Sequence, residues 1–410
     1  MPETSLAERF FVDAMSPAFR EDPYPLYESF RRREPFLQVD DTIWLSLAHA
    51  DVSALLRHPK LSSDETRATT EQRRPPPGRM KANSLLFMDP PDHSRLRQLV
   101  VRAFTPSRVA DLRITTEEIA SRLLDRIGSQ AGAGDEVDLI SVLAYPLPVS
   151  VICSLLGVPA GDQDAFTSWS RALSRSLDPS VLRSDEDDAA IVRAELEIVT
   201  YLEDVLDFRR RAPGDDLLSA LLSVEADGDR ISSDEIVDLA LLLLVAGHET
   251  TVNLVGNGVL ALLRAPDEME RLRRNRASAS GAIDELLRFD SPVQMTQRIA
   301  TEDLDLVGHR VKVGDEIVLV LGSANRDPSV FAEPDRLDIG RDAHRHVAFG
   351  GGIHHCLGAA LARMEAEVAI TGLVHRFDRL EPAGPPVRRP TFTLRGLQSL
   401  PVVVGDRGSG

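Results

Sequence analysis

The chain has only two cysteines in 410 residues, Cys153 and Cys356. Two thiols cannot build a disulfide framework, so the sequence points to a reducing compartment. Lysine is almost as scarce: Lys60, Lys81 and Lys312 are the only three, and every other side-chain cation except histidine is arginine. A GC-rich genome accounts for such a bias, although a local arginine patch could still dock an acidic partner. Positive charge is in deficit overall, with 64 acidic against 47 basic residues and a net charge of −17. That balance argues against nucleic acid or an anionic membrane as the main partner. There is no uninterrupted apolar run of about 20 residues, so no membrane span is expected. The opening stretch, MPETSLAERFFVDAMSPAFREDPYP, carries acids and prolines and has no apolar signal-type core. A monomeric cytoplasmic protein is the expectation.

What is present reads as a globular chain, with 43% hydrophobic and 27% charged residues, long enough for a large core. A first helix is followed by a strand around TIWLSLA and a short helix around DVSALLRHP. The polar, proline-broken run SSDETRATTEQRRPPPGRMKANS has neither helical nor strand period and reads as a lid or specificity loop. Helical patterning dominates from Pro90 to about Arg288. DLDLVGHRVKVGDEIVLV alternates around glycines as a hairpin, and PTFTLRGLQSLPVVV reads as another strand pair. The fold class is therefore mainly α with a smaller β part, in one domain over 1–410. Its β-rich portions are expected at about 36–60, 300–322 and 390–404.

The segment ISSDEIVDLALLLLVAGHETTVNLVGNGVLALLRAPD predicts one helix over about 233–264. It opens on a capping box, Ser232 with Glu235, and stops before Pro266. At 1.5 Å per residue it would run roughly 45 Å, a spine across the molecule. Its first half is apolar on all sides, as in a buried helix. Yet Ala246-Gly247-His248-Glu249-Thr250-Thr251 interrupts it, and a buried acid is costly unless paired. A threonine hydroxyl bonded to the i−4 carbonyl bends a helix and can open a groove. Glu249 and Thr250 are read as an acid and an alcohol aimed into such a groove, with His248 and Thr251 packing nearby.

HRHVAFGGGIHHCLG, residues 344–358, puts four histidines and a cysteine in one short stretch. Zinc would want two separated ligand pairs with finger spacing, which is not present here. A phosphate cradle would want a P-loop lysine, also missing. A third reading makes Cys356 a thiolate on haem iron, at the start of the helix LGAALARMEAEVAITGLVHRF. The helix dipole and free N–H groups there would hold the charge. The glycines would let backbone lie against the macrocycle with Phe349 beside it.

These residues resemble the cytochrome P450 family. Phe349, Gly352, His354, Cys356 and Gly358 match its haem-binding signature F-x-x-G-x-[HR]-x-C-x-G. Ala246, Gly247, Glu249, Thr250 and Thr251 match [AG]-G-x-[DE]-T-[TS], and Glu285 with Arg288 matches E-x-x-R, in the family's order. FAEPDRLDIGR resembles the segment that joins that pair through Arg336, and MDPPDHSRLRQLV resembles the start of the helix under the haem. The likeness spans essentially the whole chain and is strongest to soluble bacterial members.

The resemblance implies the P450 fold, a triangular helical prism whose haem lies between the central helix and the cysteine loop. It implies haem b, with Cys356 as the axial iron ligand. His93, Arg97, Arg298 and His354 would meet the propionates, and Phe349, Gly350 and Ala246 would touch the macrocycle. Glu285, Arg288 and Arg336 would form a buried structural ion-pair group. Glu249 and Thr250 would deliver protons to reduced dioxygen. Leu242, Val245, Ala246, Val293, Gln294, Thr393, Leu394, Leu85 and Met88 would contact an apolar substrate, while Cys153 is core. The activity implied is monooxygenation, by hydroxylation or epoxidation, on a natural-product type of molecule. Electrons would come from NAD(P)H through a ferredoxin and its reductase, docking at Arg102, Arg345 and Arg363. A peroxide-driven or coupling P450, or a haem-based sensor, is the competing reading.

Overall fold

The computed structural model describes residues 10–405 apart from 11–12, 15, 70–83, 104–105, 131–135, 179–182, 224 and 227–228. Most of the expected lid loop, residues 70–83, therefore lies outside the described residues. Helices predominate, and they pack around Ser233–Arg264, which opens on the reciprocal Ser232–Glu235 capping box and runs 32 residues. This helix is long and apolar enough to cross a membrane, but most of its apolar stretch is buried inside the protein. Its neighbours are Pro146–Leu156, Gln163–Ser174, Asp185–Arg211, Ala279–Phe289 and Ala359–Arg376. Close approach is built in: a Cβ on Gly256 would lie 2.8 Å from the Ile140 side chain. One large apolar cluster joins these helices, Cys153 among its buried members.

The β part is divided among several small sheets. A five-stranded sheet runs Phe36–Asp40, Ile43–Ser46, Glu316–Leu319, Thr296–Ala300, Leu61–Ser62. Only the Ile43–Ser46 and Glu316–Leu319 pair is parallel, with Ile317 opposite Trp44. Leu304–Leu306 and His309–Val311 form the hairpin the sequence predicts. The tail differs from expectation. Leu397–Ser399 pairs with Val387–Arg388, while Pro401–Gly405 lies between Arg379–Pro382 and Glu136–Asp138. Pro401 breaks the two tail strands apart, so each finds a partner elsewhere instead of pairing with the other.

Two buried polar networks tie the layers. Asp290 takes hydrogen bonds from Arg395 at 2.6 Å and Tyr24 at 2.8 Å, and Arg388 lies 3.3 Å from its other oxygen. Burial alone would raise the Asp290 carboxyl; the Arg395 and Arg388 charges outweigh it and hold it at about 2. In the second network Arg288 donates to both Glu285 oxygens, at 2.6 and 2.9 Å, and to the Asn325 and Pro334 carbonyls. The third member is not Arg336 as expected. Arg341 donates to Glu285 at 3.1 Å, whereas the Arg336 side chain is largely exposed and pairs with Glu333. The loop turns so that Arg336 contributes only its carbonyl, which accepts from Arg288 and Arg341, and its guanidinium stays in water.

Removing one partner of a fully buried pair leaves the other charge stranded. Arg288→Ala should cost about 3–5 kcal/mol in urea denaturation. Arg336→Ala should stay within about 0.5 kcal/mol, as for an exposed residue. Equal losses would mean that Arg336 holds the network after all.

Candidate active site

Midway along the buried central helix one face opens. Ala246 is exposed and Thr250, one turn later, is half-buried, although the helix is buried on either side of them. The Thr250 hydroxyl donates to the Ala246 carbonyl at 2.8 Å, and Thr251 repeats the pattern on Gly247 at 3.2 Å. These are the i−4 bonds expected, and the exposed surface of Ala246 with part of Thr250 marks a groove in the packing there.

Glu249 points elsewhere, which corrects the expectation that acid and alcohol share the groove. Residues adjacent on a helix diverge by about 100°. Glu249 is fully buried behind it, with Tyr145 donating at 2.7 Å, Arg389 paired to its other oxygen, and His248 at 3.6 Å. His248 in turn bonds the Leu244 carbonyl through Nδ1 and the Ser170 hydroxyl through Nε2 at 2.8 Å. Burial would raise the Glu249 carboxyl, but His248, the Arg389 charge and the Tyr145 hydroxyl hold it at about 2. It is thus ionised at neutral pH.

The cysteine loop is tightly folded. Cys356 N–H donates to the Phe349 carbonyl at 3.0 Å, closing the loop, and the Arg363 guanidinium stacks 4.5 Å above the Phe349 ring. Gly350 and Gly352 take φ values of 66° and 68°, where only glycine is comfortable. A Cβ on Gly352 would also lie 2.7 Å from the Leu56 carbonyl, so this glycine serves packing against the C-terminal end of the helix His49–Leu55. A Cβ on Gly350 would meet nothing nearer than the His354 carbonyl oxygen at 3.9 Å, so its face is open. Cys356 has exposed surface yet is crowded by protein, as on the wall of a recess. Burial pushes its thiol up, while the Gly358 N–H and the charges of Arg97 and Arg363 pull it back. Zinc does not fit: among the described residues no three His, Cys, Asp or Glu side chains gather to hold a metal ion. His344 pairs with Asp342, and His346 with Asp284.

Four basic side chains from three elements meet beside this loop, His93 and Arg97 sharing the helix Asp92–Ala103. The His93 and His354 rings lie 4.3 Å apart, and Arg298 and Arg97 both act on His354. Both nitrogens of His93 and Nε2 of His354 are buried without a hydrogen-bond partner. Burial first, then the Arg298, His93 and Arg97 charges, drive His354 down to about 3. Burial likewise lowers Arg298 to about 10, opposed by Asp89. Orphaned buried imidazole nitrogens beside two arginines mark a place for an anion.

A cytochrome P450 model matches residues 42–401. The chain belongs to the cytochrome P450 family. Among its relatives, "Vitamin D(3) 25-hydroxylase" of Pseudonocardia autotrophica is 43% identical over 97% of each chain. "Polyketide biosynthesis cytochrome P450 PksS" of Bacillus subtilis is 37% identical over 94% of this chain and 96% of its own. The ligand-free crystal structure of CYP164A2 of Mycobacterium smegmatis superposes with a TM-score of 0.88 at 42% identity, covering 97% of this chain and all of that one. The protein is a P450 monooxygenase that uses haem, dioxygen and electrons from redox partners on a small molecule. The site fits haem: an accessible thiol in a recess, an open Gly350 face, and the unpartnered His93 and His354 nitrogens with two arginines beside them.

The expected substrate contacts divide. Ala246 is exposed to the groove, and Leu242, Val293, Thr393 and Met88 are half-buried. Val293 and Leu394 are bridged to each other, with Leu394, Val245 and Leu85 buried in packing. Gln294 is a correction: its amide is buried, donates to Ser291 and Tyr24, and abuts Gly322. Tyr145, Ser170 and Arg389 were not singled out from sequence. Tyr145 is one of only four tyrosines, which could have flagged it, whereas Arg389 is one arginine among many. Glu365 was also missed; it is wholly buried and burial raises its carboxyl well above the usual range.

The histidine pair sets a pH dependence. His93 and His354 are both depressed in the folded state, so the folded protein binds fewer protons than the unfolded chain as pH falls below ~6.5. Haem-free protein should therefore lose stability between pH 7.5 and 5.5, read as a falling urea midpoint. His93→Gln/His354→Gln should flatten that fall. An unchanged slope in the double variant would contradict the assignment.

Proposed function

We propose that Cys356 is the axial haem ligand and that His93, Arg97, Arg298 and His354 hold the propionates. Phe349, Gly350 and Ala246 would lie against the macrocycle. The haem, when bound, supplies dioxygen activation and oxygen-atom transfer; the chain supplies orientation, dryness and protons. The observation that carries this reading is the pair of buried, unpartnered imidazoles of His93 and His354, with Arg97 and Arg298 acting on them, beside an accessible cysteine on a glycine loop. Two carboxylates placed there would satisfy donors that otherwise oppose folding.

Thr250 is the proton-donating alcohol on the groove side, held in position by the Ala246 carbonyl. Glu249 is its reserve of charge behind the helix. To take part it must exchange Arg389 and Tyr145 for water, a side-chain rotation. The substrate is an apolar natural-product type of molecule lying across Ala246, Leu242, Val293 and Met88. That these positions are apolar or small, and that PksS carries polyketide biosynthesis in its name, supports this class. We place the enzyme in the cytoplasm as a monomer of one domain, reduced by a ferredoxin and an NAD(P)H-dependent reductase.

The docking patch is revised. Arg345 is exposed, but Arg363 is committed to Asp284 at 2.7 Å and to Phe349. The side chain of Arg102 lies outside the described residues. Arg57, against Gly351, is the better second cation.

Thr250→Ala should lower product formed per NAD(P)H by roughly tenfold or more, with peroxide released instead, and Thr250→Ser should keep most coupling. Unchanged coupling in Thr250→Ala would favour a peroxide-driven enzyme. Arg57→Glu with Arg345→Glu should slow reduction by ferredoxin several-fold at low salt, the difference fading as salt rises. A salt-independent or absent effect would move the docking site elsewhere.

A further inference from the structure

Arg389, which pairs with Glu249, also lines a cavity of about 370 Å³. Arg20, Arg175, Arg183, Arg388, Arg389 and Arg395 line it, against a single lining acid, Asp178. Further acids meet these arginines: Asp187 and Asp188 bond Arg175 and Arg183, Asp290 bonds Arg388 and Arg395, and Glu249 bonds Arg389. They do not satisfy every donor. Nη2 of Arg183 and Nε of Arg388 are buried and have no hydrogen-bond partner. Both side chains are more than nine-tenths buried, at 2% and 5% exposure. Arg20 is exposed at the edge and makes no ion pair among the described residues. A guanidinium nitrogen without an acceptor in such a place is costly, and an oxyanion is the acceptor that also answers the surrounding charge.

The remaining wall is not polar. Phe19 and Phe392 stack at 5.6 Å with an interplanar angle of 25°, and Tyr27 packs edge-on to Phe19. The volume is at the lower end of small-molecule sites, enough for one compact ligand. Arginine forks and aromatic faces together select an anion with an apolar body over a bare inorganic ion.

We propose that this cavity binds a small organic carboxylate, its oxygens on Arg183 and Arg388 and its apolar part against Phe19 and Phe392. The site is separate from the haem groove but shares a wall with the Glu249 cluster through Arg389. An anion held there would draw on the same guanidinium that keeps Glu249 in place.

Calorimetric titration of the haem-loaded protein tests it, with sodium benzoate, benzyl alcohol and inorganic phosphate as probes. Benzoate should bind saturably at one site without moving the Soret band, with benzyl alcohol weaker by about tenfold or more. Arg183→Gln should weaken benzoate by about tenfold, and Arg20→Glu, on an exposed side chain that leaves the core intact, by several-fold. Benzoate binding that shifts the Soret band and survives both substitutions would place it in the haem groove and overturn the proposal. Phosphate binding more tightly than benzoate would overturn the organic body. No saturable benzoate heat would leave the cavity to water and refute the site. Because binding is read as heat, the result does not depend on which residue ligates the iron.

Discussion

A helix buried on nearly every side can carry polar groups only where something meets them, and that constraint organises this protein. Ser233–Arg264 has apolar neighbours along most of its length, and most of its buried polar side chains mark places where the packing was arranged around them, Asn253, with neither amide atom hydrogen-bonded, being the exception. Asn257 reaches Arg388 and the Arg395 carbonyl. His248 reaches Ser170, and Glu249 reaches Tyr145 and Arg389. In its middle, packing withdraws most at Ala246, with Leu242 and Thr250 half-buried beside it, and this gap is the proposed place for substrate and dioxygen. The Thr250 hydroxyl there already has a backbone acceptor, so opening the gap strands no polar group.

The same rule, applied to charge, explains the cofactor side. His93 and Arg97, Arg298, and His354 come from three distant stretches of chain, and Asp89 offsets only part of the positive potential they share. Folding brings them together at a cost that a dianionic cofactor can return. The protein is therefore expected to be a poorer fold without haem than with it, and most so in acid. The Glu285–Arg288–Arg341 group shows the opposite solution: full burial, with every nitrogen of Arg288 spent on a carboxylate or a carbonyl.

Much of this was legible in the sequence because short-range chemistry encodes it. The capping box, the i−4 threonine bonds, the hairpin at 304–311 and the glycine loop ending in Cys356 all depend on residues close in the chain. The misreadings involve long-range choices. Whether Arg336 or Arg341 reaches Glu285 depends on how one loop turns, and both are plausible by spacing. Arg389 meets Glu249 from 140 residues away, and in an arginine-rich chain nothing local distinguishes it. Glu249 was correctly noticed as a buried acid in need of a partner, but pattern alone could not say on which side of the helix the partner stands. The tail strands were found as strands, while their partners, set by Pro401 and by distant edges, were not.

The central claim is that Cys356 presents a thiolate to haem iron. The direct measurement is the absorption spectrum of the reduced protein with carbon monoxide, taken for the native chain and for Cys356→His. The account predicts the strongly red-shifted Soret band of a thiolate–carbonyl complex in the native protein and its loss in the variant, with haem retained by the cation pocket. A native protein whose carbonyl Soret band sits where nitrogen-ligated haem places it, unchanged by the substitution, would contradict it.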